Sequence, residues 1–187
     1  MKKLFSILVC VGLAASLASC GCSKKKNTAA SKAEIIMPDT LITATDATEV
    51  AGVSMSMTKD GVVNDGSARS VAYFPVELGS ADPITVRIVQ SSDTLTPKQV
   101  FDEDDARYNS RQGDIQVVNG IGEDCFIAYP YINIFDRGCY IRISAGSGDN
   151  EAQRDMLINL ANRALLVLNE KIPADAVPGM DSGNTIK

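Results

Sequence analysis

From Val53 to Thr58 apolar and small polar side chains alternate, Val53, Met55 and Met57 against Ser54, Ser56 and Thr58. A period of two predicts a strand with one buried face. The same reading predicts strands at about Arg69 to Val76 and at Ile84 to Val89, where Ile84, Val86 and Ile88 alternate with Thr85, Arg87 and Val89. Asp60-Gly61, Asp65-Gly66 and the stretch Gly79 to Pro83 mark turns between them. Further strands are predicted at Ile115 to Val118 and Cys125 to Tyr129. Ile132 to Phe135 and Cys139 to Ser144 read as a hairpin closed around Asp136-Arg137-Gly138.

Three segments follow a helical period instead. Thr43 is placed to cap a short helix with Asp46 at its third position, Ile42 to staple onto Ala47, and Gly52 to stop it. Leu95-Thr96-Pro97-Lys98-Gln99-Val100 is a second start: Thr96 caps, Pro97 takes the first turn, Gln99 completes a capping box. That helix runs to about Asn109, with Phe101, Asp105 and Tyr108 on one side and an acidic opposite face. After Gly146-Ser147-Gly148, Asp149 or Asn150 caps a long helix ending before Pro173. Its Leu157, Leu160, Ala161, Ala164, Leu165 and Leu168 recur three and four apart.

The order is thus α-βββ-α-βββ(β)-α. Strands joined by short turns pair antiparallel, and each helical stripe needs an apolar sheet face to cover. This predicts an α+β fold over residues 40–172, a single twisted antiparallel sheet of about six or seven strands with three helices. The two strand-rich halves hint at a pseudo-repeat.

The N-terminus follows neither period. Lys2 and Lys3 precede an uncharged apolar run from Leu4 to Leu17, which is shorter than the roughly 20 residues of a membrane-spanning helix. It closes on Leu17-Ala18-Ser19-Cys20-Gly21, which resembles the bacterial lipobox. Residues 1–19 therefore read as a lipoprotein signal peptide. The resemblance implies a diacylglycerol on the Cys20 thiol and cleavage before it. Residues 20–39, polar and small with Lys24 to Lys26, read as a lipidated flexible tether, and 173–187 as a disordered tail. The expected address is the extracytoplasmic face of a cell membrane.

Charge narrows the partners. Without Lys2 and Lys3 the 18 basic residues become 16, against 23 acidic ones, a net charge of −7. Nucleic acid is not expected, since it asks for a basic face. The chain has no histidine, which removes Ser-His triads, Cys-His pairs and histidine-ligated metals. Asp102-Glu103-Asp104-Asp105 lacks the spacing of a calcium loop and reads as a solvated helix face. Gly146 to Glu151 and Gly120-Ile121-Gly122 read as turns, so neither metal nor cofactor is expected. Export permits a disulfide between Cys125 and Cys139. The alternative is two small buried hydrophobes, and the exposure of free thiols to oxidation outside the cell favours the bridge.

Aromatic density is the one further signal. Of five Phe and five Tyr residues, Phe126, Tyr129, Tyr131, Phe135 and Tyr140 fall within 126–140. Most serve the core, while Tyr129 and Tyr131 around Pro130, with Phe135, form a candidate binding patch.

Leu41-Ile42-Thr43 with Ala47, Val50 and Gly52, then Val118 to Asp124, and finally Leu160-Ala161 resemble small bacterial cell-envelope lipoproteins of unassigned function. That pattern, largely actinobacterial, looks similar to the PsbP-like α/β sandwich and spans about residues 38–170. Such proteins often carry a cysteine before the first helix, where Met37-Pro38-Asp39 stands here. The resemblance implies no reaction. The expectation is a membrane-anchored, non-enzymatic binding or accessory domain that engages an envelope protein, a lipid or a small ligand. The alternative is a carboxylate-based enzyme acting on cell-envelope polymers.

Overall fold

In a computed structural model, which describes residues 34–91, 96–112 and 115–173, the alternating segments pair into one sheet and the helical stripes pack on it. The signal segment, Cys20, the tether up to residue 33 and the tail from 174 lie outside the described residues. The elements are α1 (Pro38–Leu41), α2 (Ala44–Ala51), β1 (Met55–Met57), β2 (Val63–Asp65), β3 (Ala68–Pro75), β4 (Ile84–Val89), α3 (Pro97–Gln112), β5 (Gln116–Val117), β6 (Asp124–Ala128), β7 (Tyr131–Asp136), β8 (Cys139–Ala145) and α4 (Glu151–Lys171).

The fold is α+β, and its sheet is antiparallel at every pairing. Its order is β1-β3-β4-β8-β7-β6-β5, with β2 also on β3. The sheet has eight strands where six or seven were expected, because one edge strand is split. β1 pairs Met57 with Tyr73 and β2 pairs Val63 with Ser70. Residues 58–62 therefore stand opposite only Val71 and Ala72, a bulge that breaks the period the sequence shows. Each half of the chain forms a meander, and the last strands of the two meanders, β4 and β8, meet at the centre.

Successive strand residues face opposite sides, so the sheet has two cores. On one side Val86, Ile88, Ile132, Ile134, Ile141 and Ile143 pack against Leu157, Leu160, Ala161, Ala164, Leu165 and Leu168 of α4. On the other, Phe126, Val89 and Tyr140 pack against Phe101 of α3. The caps form as their residue types dictate. The Thr43 side chain accepts from the Asp46 N–H while Asp46 Oδ2 accepts from the Thr43 N–H at 2.8 Å. Asn150 Oδ1 accepts from the Gln153 N–H at 3.0 Å at the start of α4.

One boundary moves. The packed domain begins at Glu34 rather than 40, since Ile36 is fully buried and its N–H donates to Gln90 Oε1 at 2.9 Å. Pro38 then starts the single turn α1, a fourth helix whose Pro38 and Leu41 are buried. Four residues carry too little periodicity to be read from sequence.

The bridge between Cys125 and Cys139 is not formed; both are free and buried. Cys125 lies on β6 and Cys139 on β8, with β7 between them. Two strand spacings separate their Cα atoms by about 10 Å, beyond the reach of about 7 Å of a disulfide. Burial pushes each thiol up to about 12.

Candidate functional site

α3 covers only part of its side of the sheet. Its Phe101 sits against Phe126 at 5.2 Å and Tyr140 at 5.7 Å between ring centroids, over β6 and the start of β8. Beyond it the strands carry small and polar residues in register. One row across the sheet reads Ala72, Thr85, Ser144, Tyr131; the next reads Ser70, Arg87, Arg142, Asn133. Ala72, Thr85, Tyr131, Ser70, Arg87 and Arg142 of these rows, with the wall formed by Thr58, Asp60, Gly61 and Val63, line a hollow of about 480 Å³. That size lies within the range of small-molecule sites, roughly 300–1,000 Å³.

Arg142 is the best-held side chain there. Its guanidinium lies over the Tyr131 ring, 3.7 Å from the centroid, and donates from Nη2 to the Tyr108 hydroxyl at 2.7 Å. Asp104 Oδ2 stands 3.6 Å from its Nη1. Asp104 is buried and so leaves the solvated acidic face expected of α3, on which Asp102 and Glu103 stay exposed. Phe101, Asp104 and Tyr108, spaced three and four apart, share the inward side, whereas Asp105 does not. The Tyr140 hydroxyl lies 2.7 Å from Asp104 Oδ2 and 2.7 Å from Asn133 Oδ1. Its single hydrogen donates to the carboxylate, and the Asn133 amide completes the network when its Nδ2 is turned to the hydroxyl. Desolvation, then the Asp104 hydrogen bond, raise the Tyr140 pKa and keep it a neutral donor.

Arg87 is opposite Arg142 across β4 and β8, exposed, and in no ion pair with a described residue. Thr85 and Ser144, also directly opposed, share a hydrogen bond of 2.5 Å between their hydroxyls.

The aromatic patch expected from sequence is not brought together. Tyr131 lines the hollow, Tyr129 packs against the α4 side of the sheet, and Phe135 lies beneath α3 with Lys98 Nζ 5.2 Å from its ring centroid. The sequence does not mark Arg87 and Arg142 as site residues. The signal available was an arginine at an alternating position in each of two predicted strands, but their pairing joins residues far apart in the chain.

A second depression of about 200 Å³ lies between β5, β6 and α3, with Asp105, Glu123 and Asp124 at its rim. All three are engaged: Asp124 by Lys98 at 2.8 Å, Glu123 by the Arg137 N–H at 2.9 Å, Asp105 by Asn109 at 3.1 Å. Among the described residues no group of acids and thiols is arranged to hold a metal ion, and no helix is long and apolar enough to cross a membrane.

The chain matches no family model, no curated protein and no solved structure.

Proposed function

We propose that this chain is a lipid-anchored binding protein of the cell envelope whose domain takes a small ligand in the hollow above β3, β4 and β8. The observation that carries the binding reading is the hollow itself. A sheet that covers one half of a face with α3 and leaves the other half concave, with a held arginine and a half-buried tyrosine, has the form of a site. The anchor half of the reading rests on the order of basic, apolar and small residues up to Cys20. Two acyl chains would hold the domain at a bilayer, each buried methylene contributing about 0.8 kcal/mol.

Each half has its own test. Cys20→Ala is expected to leave the chain unprocessed and lost from washed membranes; a membrane-bound product of normal size would refute the anchor. For the hollow, Ala72→Trp places an indole on its floor without touching the α4 core. Small molecules released on denaturing the purified wild-type chain should be missing from this variant in mass spectra. Identical spectra from a folded Ala72→Trp protein would refute the hollow as the site.

A further inference from the structure

We propose that the ligand enters with an anionic end, a carboxylate or phosphate group held between Arg87 and Arg142. This rests on the reading of the hollow as the binding site, and adds the chemical class of what fills it.

The argument begins with the pairing. Like charges directly opposite each other on adjacent antiparallel strands repel. Arg87 and Arg142 are such a pair, both lining the hollow. Arg87 is in no ion pair with a described residue. The nearest acid to Arg142, Asp104, already receives the Tyr140 hydroxyl at 2.7 Å and lies 3.3 Å from Arg107 Nη1. An oxoanion between the two guanidinium groups turns one repulsion into two attractions, and their planar forks match its geometry.

Arg142 is also oriented before any ligand arrives. Tyr131 stacks on it and Tyr108 fixes one nitrogen, so little rotamer freedom is left to lose on binding. Its buried Nε–H has no acceptor among the described residues. Ser70, beside Arg87 in the same row, adds a hydroxyl donor.

The surroundings restrict the class further. Asp60 in the wall disfavours a polyanion and fits a ligand with a single charged group. A volume of about 480 Å³ exceeds what a bare oxoanion fills, leaving room for an uncharged body against Val63 and Ala72.

The test uses the full chain and the exposed Arg87, whose replacement spares the buried network. Thermal melts are run in inorganic phosphate, in acetate, and with vesicles of phosphatidylglycerol or phosphatidylcholine, at ionic strength matched with sodium chloride. Phosphate, acetate or phosphatidylglycerol is expected to raise Tm by about 4 °C at a tenfold excess over Kd. Arg87→Gln should bind the same probe at least tenfold more weakly, while Arg87→Lys should recover part of the affinity. A phosphatidylglycerol response alone assigns the group to a lipid headgroup; a phosphate or acetate response assigns it to a free solute. An equal response in Arg87→Gln, or no response to any anionic probe, overturns the proposal. If a neutral molecule is then still lost from Ala72→Trp, the hollow remains a binding site and only the anion is wrong. If nothing is lost, both readings fall.

Discussion

At Cys125, Cys139 and Tyr73 burial disfavours the charged form, so each holds its proton to about pH 12. The Tyr73 hydroxyl also donates to the Ile42 carbonyl, a bond that needs that proton. In the unfolded chain the thiols ionise near 9 and the phenol near 10. The unfolded state therefore loses protons first as pH rises, and stability falls. The contribution is lost between 9 and about 12 for the thiols and between 10 and about 12 for Tyr73, by up to about 1.4 kcal/mol per pH unit for each group. Urea melts between pH 8 and 11.5 should show a midpoint that is flat up to 9 and then declines; a flat midpoint throughout would contradict it. At this scale the sequence showed less than the structure. That the two thiols lie on strands is readable, as is a strand at Ile132 to Phe135, but not that this strand pairs with both of theirs and holds them apart. Asp104 reads as a surface acid in the sequence because one position in a four-residue acidic run cannot be told from its neighbours without the helix phase.

Elements were more legible than single residues, because a strand or helix repeats its signal. The capping box of α2, the α4 stripe and the hairpin of β7 and β8 all follow from spacing. What failed was short or interrupted. The single turn α1 and the three-residue β2 carry no period, and the bulge at 58–62 hid the fact that β1 and β2 share one partner. Gly122 is a case where an element depends on one backbone choice. It has φ +62°, and a Cβ there would lie 2.9 Å from the Phe135 carbonyl oxygen and 2.9 Å from Ile134 Cγ2. The carbonyl belongs to β7 and itself accepts from the Glu123 N–H, so it cannot retreat. Gly122→Ala should cost about 2 kcal/mol or more through strain and the clash together. Gly120→Ala, with φ +82° but nothing within 4 Å, should cost less. Urea unfolding of the two variants checks the order.

For the whole molecule the central fact is that two meanders meet at β4 and β8, and each sends its following helix to a different side. The candidate site is written across that seam, Arg87 from one half and Arg142 from the other, which is why neither half announced it. The domain also reaches further toward the N-terminus than composition suggested. A chain beginning at Glu34 should unfold in one cooperative transition. One beginning at Thr40 loses the fully buried Ile36 and should be weaker by about 2–5 kcal/mol. Equal melting temperatures would show that Ile36 adds nothing.

The bulge between β1 and β2 has a consequence for how such a protein changes over time. It hangs from an edge strand, so residues can be gained or lost in it without shifting the register of Val71 and Tyr73 below. The rim can vary while the interior stays intact. The same five residues interrupt the edge along which a neighbouring chain's strand would pair, so whatever lengthens the rim also guards the molecule against its own copies.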